Sequence, residues 1–159
     1  PLASRQDVVC FCSEPLDHDL VVAGPVRARL FVATDGPDTD FTVKLVDVCP
    51  PESPQAGTLA INVTDGIQRL RFRNGYDQEE LATPGQPCLI EFDLFPTACR
   101  FGRGHRLRID IAASNFPRFD VNPNTGEPLG RHRLSRKAVN TVFHSPDLPS
   151  AIILHVLPE

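Results

Sequence analysis

No methionine and no tryptophan occur in the 159 residues, tyrosine appears once, and the 16 basic residues include only two lysines, Lys44 and Lys137. A chain without methionine that opens on Pro1 is expected to be processed or part of something longer, so a motif missing here can lie elsewhere. The aromatic poverty argues against a sugar-binding module, which recognises its ligand on flat Trp or Tyr platforms; here only Tyr76 is on offer. No apolar run approaches the ~18–20 residues of a membrane span, and no basic-then-apolar leader opens the chain, so no membrane partner is expected. A net charge of −4 and a pI near 5.7 argue against nucleic acid. Arginine in place of lysine suits carboxylate pairing, although a GC-rich coding sequence accounts for the bias equally well. Cys10, Cys12, Cys49, Cys88 and Cys99 make an odd number in a chain large enough to fold without staples. That favours a reducing compartment, the cytoplasm, with the thiols serving as small apolar core groups.

What is present is a period of two. Val26, Ala28, Leu30 and Val32 alternate with Arg27 and Arg29; Phe41, Val43 and Leu45 with Thr42 and Lys44; Cys88, Ile90, Phe92 and Leu94 with Glu91 and Asp93; Leu107, Ile109 and Ile111 with Arg106, Arg108 and Asp110. Leu70 and Phe72 sit between Arg69, Arg71 and Arg73, Val139, Thr141 and Phe143 continue the pattern, and Ala151 to Leu157 closes it. Such alternation marks half-buried strands, and 16 prolines and ten glycines separate the runs. About eight strands without an amphipathic helix predict an all-β, antiparallel jelly-roll sandwich, one domain over residues 1–159. Pro50 to Gly57 reads as a long hairpin loop, and Leu129 to Lys137 as the one place for a helical turn or two.

The chain holds no Gly-x-Ser-x-Gly elbow. His144, Ser145 and Asp147 imitate a compressed triad, but adjacent strand residues point to opposite faces, so no catalytic residue is assigned. Cys10-Phe11-Cys12 is too tightly spaced for a zinc pair or a mutual disulfide. His18, His105, His132, His144 and His155 are scattered singly, which reads as structural. Asp120-x-Asn122-x-Asn124 opens like a calcium loop, but Thr125 and Arg131 stand where that loop needs Gly and Glu, so an Asx-rich turn is the better account. No metal and no cofactor are expected. Asn62-Val63-Thr64 is a sequon with meaning only in a secretory compartment. Arg69, Arg71 and Arg73 read as a basic stripe on one strand face, solvated or turned to another domain.

Four strings carry more than statistics: GPVRARLFVATDGPDTDFTVKLVDV from Gly24, TDGIQRLRFR from Thr64, GHRLRIDIAASNFPRFDVNPNTG from Gly104, and AVNTVFHSPDLPSAIILHVLP near the end. In this order the chain resembles the C-terminal domain of the X-Pro dipeptidyl-peptidase and cocaine-esterase (CocE/NonD) family of serine hydrolases, from about Asp7 to Pro158. The resemblance implies a galactose-binding-like jelly roll packed on an α/β-hydrolase domain of the same parent protein, which acts on acyl esters, amides or X-Pro peptides. No triad residue is carried over to any position here. It also implies an opening strand upstream of Asp7, whose loss leaves an unpaired sheet edge and a route to homo-oligomers. The alternative is a free-standing jelly-roll module that binds a ligand or carbohydrate. The loop from Asn115 to Gly126 is the expected interdomain surface, with Asn115, Phe116, Arg118, Phe119, Asp120, Asn122 and Asn124 as its candidates. Two Phe beside charges on a proline-stiffened loop call for a partner. The competing expectation tucks both Phe under the sandwich and pairs Arg118 with Asp120 or Asp38.

Overall fold

Each alternating run becomes a strand because its apolar face must be buried against a second sheet. The computed structural model describes residues 4–51 and 57–158. Its strands are β1 (Val8–Cys12), β2 (Leu20–Thr34), β3 (Asp40–Cys49), β4 (Leu59–Arg69), β5 (Cys88–Phe101), β6 (Arg106–Ala112), β7 (Asn140–Phe143) and β8 (Ala151–Ile153). One sheet runs in the order β1-β6-β3-β4 and the other β5-β2-β7, with β8 also on β2. The pairings are antiparallel. The long β2 spends one edge on β5 and shares the other between β7, beside Phe31–Thr34, and β8, beside Arg27–Arg29. Between those two short strands the Ser150 hydroxyl accepts the Phe31 N–H at 2.9 Å, so the ladder has no unpaired donor there.

The core follows the alternation. Val22, Val26, Ala28, Leu30 and Val32 of β2 face Phe41, Val43 and Leu45 of β3, with Ile90, Phe92, Leu94 and Phe101 of β5 and Ile111 of β6. Each such fully buried side chain contributes about 1.5–3 kcal/mol. At β4 the two sheets close on each other. A Cβ on Gly66 would lie 3.0 Å from the Leu94 Cα, so a side chain there would push the facing backbone back by a few tenths of an ångström, and Thr64 Oγ1 donates to the Phe95 carbonyl at 2.6 Å. On the opposite side, between β6 and β7/β8, the sandwich stands open over an apolar cavity of about 290 Å³.

Four expectations need correction. β4 ends at Arg69, and Leu70–Phe72 form a 3-10 turn. Three residues per turn replace the two-residue alternation, so Arg71 swings inward to 1% exposure and the basic stripe does not exist. Residues 129–137 form no helix: Leu129 and Gly130 sit in a single turn closed by the Arg131 N–H on the Pro128 carbonyl at 3.1 Å, and residues 131–137 are irregular. Near β7, Val139 and Thr141 are exposed and Val142 packs on the core, because the strand starts at Asn140. The cysteines are not uniformly core groups: Cys88 and Cys99 pack against it, whereas Cys12 is exposed. The Cys10 thiol is pushed up to about 11 by burial and by its hydrogen bond to Asp110. The β3–β4 hairpin forms, with Cys49 opposite Leu59, while residues 52–56 of its loop lie outside the described residues. No helix among the described residues is long and apolar enough to cross a membrane.

Candidate functional site: a surface loop rooted in a buried ionic web

The turn from β2 to β3 reads Asp35-Gly-Pro-Asp-Thr-Asp. It places Asp38 and Asp40 inside the fold, at 0% and 1% exposure. Two buried carboxylates are tolerable only if cations and hydrogen bonds answer them. Arg71 does so for Asp38: its backbone N–H reaches Oδ1 at 3.0 Å and its Nε reaches Oδ2 at 2.8 Å. The remaining guanidinium nitrogens donate to Glu79 at 3.0 Å and to the Glu127 carbonyl at 3.2 Å. Arg69 forks onto Asp40 at 2.8 and 2.9 Å, and that carboxylate raises the Arg69 pKa further. The basic pair thus lies in the fold because the 3-10 turn carries Arg71 across to the β2–β3 turn.

This web roots the loop 115–126. Asn122, 4% exposed, donates from Nδ2 to both Asp38, at 3.0 Å, and Asp40, at 2.8 Å. Its Oδ1 accepts the Asn124 N–H at 2.9 Å, which is the Asx turn expected from the sequence. Asn124 adopts φ 62°, a left-handed conformation asparagine tolerates, and donates to the Arg136 carbonyl at 3.0 Å. Asn122 therefore anchors the loop from inside the fold. At the other end, Asn115 donates to Asp65 at 3.3 Å.

Between these anchors the loop stands out. Phe116 is 70% exposed and Val121 57%. Phe116 precedes a cis peptide bond to Pro117. Asp120 is exposed and lines, with Phe116, Val121 and Leu129, a cavity of about 560 Å³ whose floor includes Arg69 and Arg71. Phe119 is half-buried. Arg118 pairs with neither Asp120 nor Asp38. Its Nη1 donates to Asp65 Oδ2 at 3.2 Å and lies 3.1 Å from Oδ1 without hydrogen-bond alignment. The guanidinium rests 4.8 Å over the ring of Phe95 and 5.8 Å from that of Phe119. Its side chain is still half exposed, and Phe95 is 53% exposed. Sequence reasoning missed Phe95 and Asp65, because nothing local marks two residues of other strands as neighbours of this loop.

The compressed triad has other occupations. His144 meets the ring of Phe11 edge-on at 5.6 Å, and Ser145 Oγ accepts the Leu148 N–H at 3.3 Å. A group the sequence did not bring together lies at the far end of β3: Asp47, Cys49 and His105, whose donor atoms all lie within 4.8 Å of one another.

Comparison with known proteins finds relatives among both curated sequences and solved structures. The cocaine esterase of Rhodococcus sp. (strain MB1 Bresler) is 38% identical over 159 residues, 99% of this chain and 27% of that protein. A solved α-amino acid ester hydrolase superposes with a TM-score of 0.91 at 34% identity, over 98% of this chain and 26% of that one. An aminopeptidase from a marine sediment archaeon, Thaumarchaeota archaeon, gives a TM-score of 0.90 at 33% identity, over 98% of this chain and 27% of its own. The chain thus spans about a quarter of the length of each. The family profile of the X-Pro dipeptidyl-peptidase C-terminal non-catalytic domain matches residues 1–153. With the strand order and the family strings in agreement, this chain belongs to the X-Pro dipeptidyl-peptidase C-terminal non-catalytic domain family, and its fold is that family's β-sandwich.

Proposed function

We propose that residues 1–159 form one accessory domain of a serine hydrolase of the cytoplasm, and that the loop 115–126 docks it on the α/β-hydrolase domain of the same protein. In that protein a serine attacks an acyl ester, amide or X-Pro carbonyl, a histidine carries the proton, and water resolves the acyl-enzyme. This domain supplies shape to that machinery and no reacting group. The observation that carries the reading is the contrast within one loop: Asn122 is buried in an ionic web, while Phe116 stays 70% exposed beside a half-exposed Arg118. A rigid root with an apolar, cation-bearing tip is the form of a docking anchor. Relatives that are about four times longer than the chain support it.

The experiment joins this chain to the hydrolase domain of its parent, fused or added separately, and follows hydrolysis of a p-nitrophenyl acyl ester and an X-Pro anilide. The chain alone is expected to turn over neither. Phe116→Glu and Arg118→Ala are expected to weaken docking by about 1–3 kcal/mol each, with activity falling through loss of the assembled form. Turnover by the isolated chain that one of its own residues controls, or docking indifferent to both substitutions, overturns the reading.

A further inference from the structure

Inner-face positions of a sandwich strand are where alternation places apolar side chains. On β3 that face runs Phe41, Val43, Leu45 and then Asp47 and Cys49. On β6 it runs Ile111, Ile109, Leu107 and, one step before the strand, His105. The register pairs Asp47 with Leu107 and Val48 with Arg106, so Cys49 lies opposite His105. At one end of the sandwich the apolar layer is thus replaced by a carboxylate, a thiol and an imidazole. Asp47 Oδ1 stands 2.8 Å from His105 Nδ1, their side chains only 10% and 25% exposed. The other ring nitrogen is turned to Gly102, where a Cβ would lie 3.1 Å from Nε2. Glycine at that position leaves the ring free to keep Nδ1 toward Asp47 and Cys49. On the second sheet Cys99, paired with the buried Val22, packs on the core and lies outside this group of three donors. Its thiol is held protonated by burial and by the nearby Asp47 carboxylate.

We propose that Asp47 Oδ1, Cys49 Sγ and His105 Nδ1 form a binding site for a zinc-type divalent cation, with a water as the fourth ligand. The donor set is the mixture of borderline and soft groups that favours zinc over calcium or magnesium. Donors spread within 4.8 Å need only small side-chain rotations to meet a cation at ~2.0–2.3 Å. On binding, Cys49 gives its proton to solvent and ligates as thiolate, and His105 gives up the Nδ1 proton it shares with Asp47, takes one from water on Nε2 instead, and so frees the Nδ1 lone pair for the cation. The cation would tie the end of β3 to the start of β6. It would be a closed structural site, remote from the loop 115–126.

The test uses this chain stripped of metal and titrated with Co²⁺, then Zn²⁺. One equivalent of Co²⁺ is expected to give the visible bands of a tetrahedral site and a near-ultraviolet thiolate charge-transfer band. Zn²⁺ is expected to erase both and to raise the thermal midpoint. Cys49→Ser should weaken binding by about tenfold or more and diminish the charge-transfer band, whereas Cys10→Ser and Cys12→Ser should change neither. Since His105→Ala removes the partner of Asp47 and risks the fold, the conservative Cys49→Ser carries the decision. No charge-transfer band, a midpoint indifferent to Zn²⁺, or a band that survives Cys49→Ser and vanishes with Cys10→Ser or Cys12→Ser overturns the proposal.

Discussion

β3 begins and ends in polar ground, and its two ends are built on different principles. At Asp40 the strand enters a layer of full charges, where Asp38, Asp40, Arg69 and Arg71 answer one another and Asn122 fills the remaining valences. At Asp47 and Cys49 it leaves through a group of one carboxylate, one thiol and one imidazole. The first end is saturated: Arg71 spends its backbone N–H, Nε and both terminal nitrogens inside the protein. The second holds donors with capacity to spare. A saturated polar layer fixes geometry and can hold a loop outward. An unsaturated one is open to a ligand.

The largest effect that breaks this contrast is expected from Arg71→Ala. It strands Asp38 at 0% exposure without its cation, and breaking such a buried pair costs about 3–5 kcal/mol, measurable as a lower urea midpoint. At the other end His105→Ala leaves Asp47 without its hydrogen bond, which is expected to cost about 1.5–3 kcal/mol in the absence of metal. Equal losses from the two substitutions would erase the distinction between saturated and open layers.

A smaller effect belongs to the rim of the saturated end. The Glu127 carboxyl is held below its usual range, first by the Thr125 hydroxyl and then by the Leu134 and Arg133 amides. A lowered folded-state value means that the contribution is present above the ordinary 4.5 and lost as pH falls through the folded value. Thr125→Val is therefore expected to lower stability slightly at neutral pH and leave it unchanged once the carboxyl is protonated, flattening the acid side of a pH–stability profile. Smallest of all, Phe116→Ala in the isolated chain is expected to shift stability by less than about 0.5 kcal/mol, because 70% of the ring already faces solvent. A larger loss, seen by urea unfolding, would mean that the ring is packed into this domain.

The sequence was readable wherever period two continued with apolar residues. Val26 to Val32, Phe41 to Leu45 and Ile90 to Leu94 bury the faces their alternation indicates. The jelly roll and its family followed from these runs and from the four strings. Alternation misled at Arg71, where a 3-10 turn follows the strand and turns an expected surface arginine into the bulkiest of the fully buried side chains among the described residues. His105 read as solitary because its partners lie more than 50 positions away, on a strand whose inner face had already changed from apolar to polar. The loop 115–126 was legible as exposed and Phe-bearing. Its roots in Asp38, Asp40 and Asp65 were not, since asparagine hydrogen bonds to carboxylates 50 to 84 positions away leave no local trace.

The long β2 has a consequence for how the molecule opens. Toward β5 it offers a ladder over nearly its whole length, from Leu20 to Val32. Toward the chain's end it is stitched in three short pieces: β7, β8, and the stretch where the Ala23 N–H reaches the His155 carbonyl and the Leu157 N–H reaches the Val21 carbonyl, both at 2.9 Å. Separate stitches can be undone one at a time, each exposing only a few amides. Deuterium is therefore expected to enter residues 140–157 in steps at low free-energy cost, while the amides shared by β2 and β5 exchange only when the whole domain unfolds.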